Sequence, residues 1–446
     1  MGVIFDPLLG SLRANTAFEA VSLKTVLMGD SITWRNGTPI APWTVGGNTG
    51  AAVYSRGGYF TWLNARSGHP FTVVKNAAVG GQRTQEMRSR FATDVLSEDA
   101  GVVSIMGGTN DLEFPGYNAD VTYGEIAAMV EMARNAGRTV LVWAIPPKNG
   151  LSSYGLLHRA GANARLRELA RRDRHVMFCN SEQGTLDNTN LNGSWKSGFS
   201  SDGVHPDKSV ATYNFVPEEL VDLIKARFAP YPLISAATDT FDGYGEPSTA
   251  PFGDGRNLLD SPTFLMSGTG TKSPGSGATF NGDVPSDTII QGGNADVTLT
   301  LSTETRSDGC GKNLIINFTI GSSPASVQWF RQFSSSSLGR FVAGKYYEFS
   351  AELNVVSGAG SDGVLGSIYP AIRAAAGGTH YVRDLDPNNA SGVFGDNGVY
   401  TIVTPRFLCS GTETAIRVEW NFGFAGSGNA QIKIGRMALR EYSTPY

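Results

Sequence analysis

Apolar residues in the first half of the chain come in short, continuous runs that are separated by helical patterns. Strands covered on both faces of a sheet need such runs, whereas a half-exposed strand alternates. Strand and helix in alternation predict a three-layer α/β fold with a parallel sheet and right-handed crossovers. The predicted strands are KTVLM (24–28), FTVVKN (71–76), GVVSIM (101–106), RTVLVWA (138–144) and HVMFC (175–179).

The clearest helical pattern is TYGEIAAMVEMARNAG, in which apolar residues recur on one face. Thr122 and Glu125 have the spacing of a capping box, so this pattern predicts a helix that begins at Thr122. Gly137 is expected to end it, because glycine readily adopts the left-handed conformation that terminates helices.

The second half of the chain alternates apolar and polar residues between turns of Gly, Ser and Asn. A period of two is typical of strands with one face on a core, so we expect an antiparallel β-sandwich. The predicted strands are DVTLTLS (296–302), NLIINFTI (313–320), YYEFSAELNVV (346–356), YTIVTPRFL (400–408), AIRVEW (415–420) and QIKIGRMALREY (431–442).

The change of pattern predicts the domain organisation. An N-terminal segment (1–19) precedes an α/β domain (20–229). A linker rich in Gly, Pro and Ser (230–255) then leads to the β-sandwich (256–446), which we expect to serve carbohydrate binding or oligomerisation.

Composition narrows the functional classes. With 41% hydrophobic and 17% charged residues in 446, the chain is expected to fold into globular domains. Its net charge of −4 gives no reason to propose nucleic acid or an anionic membrane as a partner.

The opening MGVIFDPLLGSLR lacks a signal-peptide pattern, and no apolar run is long enough for a membrane span, so export by the general secretory route is not expected. The three cysteines are far apart, and no residue grouping has metal-ligand spacing, so we expect neither a metal nor another cofactor.

Polar or small residues follow the first three predicted strands. Ser31 follows the first, Gly81 the second and Asn110 the third. Taken singly, each of them is typical of a turn or a helix cap. Because the strands are parallel, however, all three are expected at one edge of the sheet, where ligands bind.

A possible general base lies near the end of the same domain, in SSDGVHPD. Asp202 precedes His205 by three residues, so its carboxylate can reach imidazole Nδ1 while Nε2 faces outward. A hydroxyl nucleophile, a base oriented by an acid, and donors for an oxyanion are what acyl transfer requires.

These motifs resemble, in order and spacing, the four blocks of the SGNH (GDSL-type) hydrolase family over roughly residues 20–228. The resemblance implies a flavodoxin-like fold in which Ser31 is the nucleophile, His205 the general base and Asp202 the group that orients it. The oxyanion hole would consist of the N–H groups of Ser31 and Gly81 and the side chain of Asn110. Two positions depart from the family pattern without touching a reacting group, since Ile32 stands in place of Leu and Ala78 in place of a frequent Gly.

Aromatic residues follow the proposed nucleophile closely. Trp34, Tyr54 and Tyr59 are candidates for stacking on sugar rings, although each of them could instead pack the loop against the sheet. No long apolar lid is visible for a fatty acyl chain, which favours a short acyl group such as acetyl.

Two further resemblances suggest a biological setting. The stretch RNLLDSPTF and the closing IKIGRMALREY are similar to the first and last strands of jelly-roll carbohydrate-binding modules, and FDPLLGSLR is similar to the start of bacteriophage tail fibre and tailspike proteins. They imply a virion tail protein that is assembled in the host cytoplasm and that deacetylates a bacterial surface polysaccharide, with a homotrimer as a candidate assembly.

Two alternatives remain open at this point. The first is a cellular carbohydrate acetylesterase with an appended binding module, from which a trimeric mass in solution would distinguish the tail protein. The second is a polysaccharide-binding adhesin with an inactive esterase fold. A complete set of Ser31, Asn110, Asp202 and His205 argues against the adhesin, because binding alone gives no reason to keep an activated hydroxyl.

Overall fold

A computed structural model describes most of the residues of the chain. No helix among them is long and apolar enough to cross a membrane. The described ranges are 23–37, 51–189, 192–206, 209–234, 257–260, 266, 268–358, 364–375, 379–386 and 398–445.

The first part of the chain forms the expected parallel sheet. Its strands are almost completely buried, which is why their sequences are continuously apolar. Five of the first six strands pair in the order β3-β1-β4-β5-β6, which confirms the predicted α/β fold. The six strands are β1 (Lys24–Gly29), β2 (Ala51–Ser55), β3 (Thr72–Asn76), β4 (Val102–Met106), β5 (Thr139–Trp143) and β6 (Val176–Cys179).

Helices connect these strands and cover both faces of the sheet. A π-helical segment, Ala92–Leu96, extends the third of them. The helices are α1 (Ser31–Trp34), α2 (Tyr59–Arg66), α3 (Thr84–Phe91), α4 (Ala119–Asn135), α5 (Ser153–Arg172), α6 (Glu182–Thr185), α7 (Ser209–Asn214) and α8 (Glu218–Arg227).

The predicted start of α4 is wrong by one turn. Asn118 caps this helix, and its side-chain oxygen accepts a hydrogen bond from the N–H of Val121 at 2.9 Å. Thr122 lies inside the first turn, where its buried hydroxyl donates to Asp111 instead. Gly137 has a φ of 75° just beyond the helix, as the prediction required.

The second part of the chain, together with β2, forms two seven-stranded sheets. One has the order β16-β13-β19-β11-β10-β8, with β17 pairing with β13, and the other has the order β2-β15-β14-β18-β12-β9-β7. The strands of this part are β7 (Thr271–Pro274), β8 (Thr279–Asn281), β9 (Thr288–Gly292), β10 (Val297–Thr305), β11 (Lys312–Ile320), β12 (Val327–Ser334), β13 (Tyr346–Ser357), β14 (Leu365–Ala375), β15 (Thr379–Asp386), β16 (Gly398–Val403), β17 (Phe407–Leu408), β18 (Ala415–Phe424) and β19 (Gly428–Tyr442).

The sandwich differs from its prediction in two respects. The expected single strand over 400–408 is divided into β16 and β17, with Pro405, which has no N–H to donate, between them. The sheets are also not wholly antiparallel, because β8 pairs in parallel with β10, β7 with β9, and β2 with β15.

The two parts of the chain share a strand and a core. Strand β2 lies between α1 and α2 in sequence, yet it forms the edge of a sandwich sheet beside β15. Arg56, directly after β2, donates to the carbonyl of Gly366 at 2.7 Å, and Trp62 packs edge-on against Tyr400. The α/β part is therefore attached to the sandwich well before residue 230.

The chain packs on the sandwich where the predicted linker begins. The Tyr231 hydroxyl donates to Glu348 at 2.7 Å, and Ile234 is buried beside Cys310. Most of the linker and the N-terminal segment, including FDPLLGSLR, lie outside the described residues. Asn257, from RNLLDSPTF, forms a bridge with Arg440 in the last strand.

Candidate active site

The turn after β1 presents Ser31 at the sheet edge. Asp30 caps α1 by accepting the N–H of Ile32 at 2.9 Å, and Ser31 is the first residue of this helix. A Cβ at Gly29 would lie 2.6 Å from the carbonyl oxygen of Met106, so a side chain there would push β1 away from β4. The tight turn thus needs glycine before the aspartate.

Asp30 itself is fully buried beneath this turn. Burial raises the pKa of Asp30 to about 7, although the hydrogen bond from Ile32 acts in the opposite direction. Its Oδ2 has no hydrogen-bond partner among the described residues. Asp30 therefore supports the turn and does not face a substrate.

Ser31, His205 and Asp202 form a continuous chain of hydrogen bonds. Ser31 Oγ lies 2.6 Å from His205 Nε2, and His205 Nδ1 lies 2.7 Å from Asp202 Oδ2. An ionised carboxylate only accepts hydrogen bonds, so the imidazole proton belongs on Nδ1 and Nε2 accepts from the Ser31 hydroxyl. The arrangement predicted from the sequence is present.

Asp202 is held in its ionised form by its neighbours. Desolvation opposes ionisation, but the N–H and imidazole of His205 and the N–H of Val204 hold the pKa of Asp202 well below its usual range. Both N–H groups donate to Asp202 Oδ1 at 2.8 Å, which leaves Oδ2 for the imidazole. One carboxylate thus shapes the loop and orients the base.

Two contacts fasten the His205 loop to the rest of the domain. The N–H of Asn149 donates to the carbonyl of Gly203 at 2.8 Å. Arg35, one residue after α1, donates from Nη1 to the carbonyl of Pro206 at 2.5 Å. Arg35 therefore joins the helix of the nucleophile to the loop of the base, a role that the sequence gave no signal to predict.

Gly81 and Asn110 lie at the same edge of the sheet. Gly81 is exposed and has a φ of 78°, and a Cβ on the preceding Gly80 would lie 3.8 Å from the Ser31 Cβ. Asn110 donates from Nδ2 to the carbonyl of Gln82 at 2.9 Å. Since an amide nitrogen carries two hydrogens, the second remains for a ligand.

Asp111 fastens the two candidate oxyanion segments together. It is fully buried, and its carboxylate accepts the N–H and the hydroxyl of Thr84, at the start of α3, and the hydroxyl of Thr122. Thr84 ends the loop that contains Gly81, and Asp111 directly follows Asn110. The distance between the two segments is thereby fixed.

The expectation that Tyr54 and Tyr59 contact the substrate is wrong. Tyr59 is completely buried: its ring packs between Trp143 and Phe215, and its hydroxyl lies 3.0 Å from Thr33 Oγ1. Tyr54 is 9% exposed and belongs to the core. Both side chains pack the segment against the sheet, which was the open alternative.

Trp34 remains available to a ligand. It is 58% exposed and lies three residues after Ser31 at the end of α1. A second exposed aromatic residue, Phe114, lies four residues after Asn110, and the Arg83 guanidinium covers its ring at 4.0 Å. Phe114 was not among the aromatic candidates predicted from the sequence, although it follows the end of a predicted strand.

No group of three or more His, Cys, Asp and Glu side chains among the described residues is arranged to hold a metal ion.

Residues 27–210 match the model of the GDSL-like Lipase/Acylhydrolase family. No curated protein matches the chain. Among solved structures, a GDSL-like lipase from Bacteroides thetaiotaomicron is 19% identical, with a TM-score of 0.33, over 48% of this chain and 95% of that one. A catalytic mutant of an acetylxylan esterase from Geobacillus stearothermophilus is 20% identical, with a TM-score of 0.34, over 46% of this chain and 94% of that one.

The match to the family model covers every block that carries the site. It includes Ser31, Gly81, Asn110, Asp202 and His205, and the structure brings these residues to one edge of the sheet. The part of the chain that carries the candidate site is therefore similar to acylhydrolases of the GDSL type.

Proposed function

We propose that this acylhydrolase is a serine esterase that removes short acyl groups, O-acetyl above all, from a carbohydrate. The observation that carries the proposal is the chain of hydrogen bonds from Ser31 through His205 to Asp202 at an open edge of the sheet. In the proposed reaction, His205 Nε2 takes the Ser31 proton as Oγ attacks the ester carbonyl. The resulting imidazolium is stabilised by the ionised Asp202.

The oxyanion is assigned to three donors, the N–H groups of Ser31 and Gly81 and the amide of Asn110. His205 then returns its proton to the departing sugar hydroxyl, which leaves an acyl-enzyme on Ser31. A water molecule, deprotonated by the same imidazole, attacks that ester and releases the carboxylic acid. The cycle restores the Ser31 hydroxyl, so atoms and protons balance without a cofactor.

Replacement of Asn110 by alanine should lower kcat by roughly a hundredfold or more, since loss of one oxyanion donor costs on the order of 3 kcal/mol. KM should change much less, because the donor acts mainly in the transition state. Steady-state kinetics on p-nitrophenyl acetate, with circular dichroism as a check of folding, provide the measurement. A folded variant with unchanged turnover would exclude Asn110 from the oxyanion hole.

The surroundings of Ser31 favour a short acyl group. Within the part of the chain that the structure describes, Val79, Gly80 and Gly81 beside it are exposed, as is Trp34, so these residues would leave a bound acyl chain largely in water. Each CH₂ group contributes about 0.8 kcal/mol only where it becomes buried. An open edge also leaves room for the backbone of a polymeric substrate.

The kcat/KM for p-nitrophenyl octanoate should therefore not exceed that for p-nitrophenyl acetate. Acetate should also be released from chemically acetylated xylan by the native protein and not by the Ser31→Ala variant. Faster cleavage of the octanoyl ester would contradict the short-acyl assignment. Cleavage of p-nitrophenyl acetate without acetate release from the polymer would contradict the carbohydrate assignment, and absence of both activities would favour the adhesin.

The biological setting remains a part of the proposal. We propose a virion tail protein, assembled in the host cytoplasm and acting on an acetylated bacterial surface polysaccharide, with a homotrimer as its assembly. The support is the short motif FDPLLGSLR, which lies outside the described residues, and the strand motifs of the sandwich.

A further inference from the structure

The segment at the end of helix α1 moves together with the nucleophile. Ser31 is the first residue of this one-turn helix, and Arg35 follows its last residue. Arg35 has helical backbone angles, with a φ of −64° and a ψ of −9°, and its N–H donates to the carbonyl of Thr33. A contact that fixes this segment therefore also fixes Ser31.

Asn76, the last residue of β3, holds the carbonyl groups of this segment. Its Nδ2 faces the carbonyl oxygens of Thr33, Trp34 and Gly37 at 3.2, 3.3 and 2.9 Å. The last carbonyls of a helix have no partner within the helix, so an amide donor at this place stabilises the end of α1. The position of α1 thus depends on the end of β3.

The oxygen of the same amide holds the loop that leads to Gly81. Asn76 Oδ1 accepts the N–H of Ala78 at 3.2 Å. One side chain therefore binds the segment after the nucleophile through its nitrogen and the loop of a candidate oxyanion donor through its oxygen. The two amide atoms cannot exchange places, because carbonyl oxygens face the nitrogen and an N–H faces the oxygen.

Arg35 connects the segment to the loop of the base. Its Nη1 donates to the carbonyl of Pro206, directly after His205 and 171 residues away in sequence, at 2.5 Å. The contacts of Asp202 within the loop are local, so they determine its shape and not its distance from Ser31. A guanidinium has several N–H donors, and this bond leaves others for further contacts of Arg35.

The base loop has another attachment, which would act as a pivot without Arg35. The N–H of Asn149 donates to the carbonyl of Gly203 at 2.8 Å, and a Cβ at Gly203 would lie 2.9 Å from the Asn149 Cβ. Rotation of the loop about this contact would change the 2.6 Å distance between Ser31 Oγ and His205 Nε2. Proton transfer requires hydrogen-bond distance, so even a small rotation would impair the base.

We propose that Arg35 and Asn76 are positioning residues of the catalytic site, with Arg35 holding the base loop and Asn76 holding the Gly81 loop around Ser31. The proposal rests on the proposed function, because both residues act through groups to which that function assigns a role. A misplacement of about 1 Å can lower a rate by about a hundredfold. The effect of losing either residue should therefore appear in kcat.

Arg35→Ala should lower kcat for p-nitrophenyl acetate by about tenfold to a hundredfold and leave KM within about twofold of native. Arg35→Lys should keep more of the activity, since an ammonium group also donates to a carbonyl. Guanidinium chloride, at a concentration that leaves native kcat unchanged, should partly restore kcat of Arg35→Ala. A purely structural loss would lower thermal stability and would respond to neither form of rescue.

Arg227→Ala is the matched control for Arg35→Ala. Arg227, the last residue of α8, also donates from its guanidinium to a distant carbonyl, that of Arg174. This contact precedes β6 and so lies at the opposite edge of the sheet from Ser31. The control variant should keep native kcat.

Asn76→Asp should lower kcat by a similar factor, because a carboxylate oxygen would face carbonyl oxygens while the contact with Ala78 is kept. Asn64→Asp is its matched control: Asn64 donates to the carbonyl of Phe71 at 2.7 Å and accepts its N–H at 3.0 Å, at the start of the same strand. The control should lose thermal stability and keep native kcat. Asn76→Ser, whose hydroxyl can donate to one carbonyl, replaces Asn76→Asp if that variant does not fold.

Native kcat in folded Arg35→Ala, or in the folded Asn76 variant, would overturn the role of that residue, as would an equal loss in its matched control. An inactive native protein would overturn the proposed function instead. Hydrogen exchange of the His205 Nδ1 proton, followed by NMR, needs no substrate and would then still test Arg35. Exchange should be faster in Arg35→Ala than in the native protein and in Arg227→Ala, because the loop opens more often, and unchanged exchange would overturn the positioning of the base.

Discussion

Replacing Ser31 by alanine is expected to abolish the rapid burst of p-nitrophenol from p-nitrophenyl acetate and to lower kcat by roughly a millionfold. The reason is that the Ser31 oxygen becomes part of the acyl-enzyme, and no other described hydroxyl lies within hydrogen-bond reach of His205 Nε2. Stopped-flow absorbance measures both the burst and the later steady rate. The residual rate should equal the rate at which a water molecule hydrolyses the bound ester directly, with the oxyanion stabilised by the remaining donors.

The variant should remain folded, because Ser31 is only partly buried and removal of its oxygen leaves no cavity in the core. Ser89→Ala is a matched control, since Ser89 is an exposed helical serine whose hydroxyl donates to the carbonyl of Glu86 at 2.7 Å. Its burst should be normal. A burst of native amplitude in folded Ser31→Ala would show that another residue carries the acyl group.

The candidate site could be predicted because its residues follow the ends of parallel strands. Such strands bring their carboxyl ends to one edge, so Ser31, Gly81 and Asn110 become neighbours although up to 79 residues separate them. Asp202 and His205 are three residues apart, and a local turn is enough to form their contact. In both cases the signal lies in a short stretch of sequence, either the end of a strand or a single turn.

The contacts that could not be predicted depend on distant partners. The sequence AAVYS of β2 is too short to show its partner, which is β15, more than 300 residues away. The same pairing explains the error at Tyr54, since that residue is carried into the core between the two parts. A buried tyrosine and a sugar-stacking tyrosine have the same sequence signature, and tertiary packing alone distinguishes them.

The incorrect start of α4 has a similar origin. Thr122 and Glu125 satisfy the capping pattern, but the Thr122 hydroxyl is used by Asp111 and by His158, which lies 2.8 Å away. Asn118 takes over the cap with an equally suitable side chain. The local pattern predicted the wrong cap because the Thr122 hydroxyl forms hydrogen bonds with Asp111 and His158 instead.

Replacing Asp202 by asparagine should lower kcat by about ten-thousandfold while leaving the loop intact. The asparagine oxygen can still accept the N–H groups of Val204 and His205, as Asp202 Oδ1 does. The amide nitrogen would then face His205 Nδ1 and donate to it, which places the imidazole proton on Nε2. A protonated Nε2 cannot accept the Ser31 proton, so the base would be present in the wrong tautomer.

The lowered pKa of Asp202 determines the pH range in which its carboxylate should be ionised. A carboxylate whose pKa is lowered by folding contributes stability above its unfolded pKa of about 3.9, and this contribution is lost only as the pH falls towards the folded value. In the native protein Asp202 should therefore stay ionised throughout an assay series between about pH 5 and pH 9. Thermal unfolding of Asp202→Asn between about pH 8 and pH 9, where an unperturbed imidazole is neutral, should show a nearly constant difference in stability from the native protein. Turnover within tenfold of native would mean that His205 does not need Asp202, and the proposed catalytic arrangement would then be wrong.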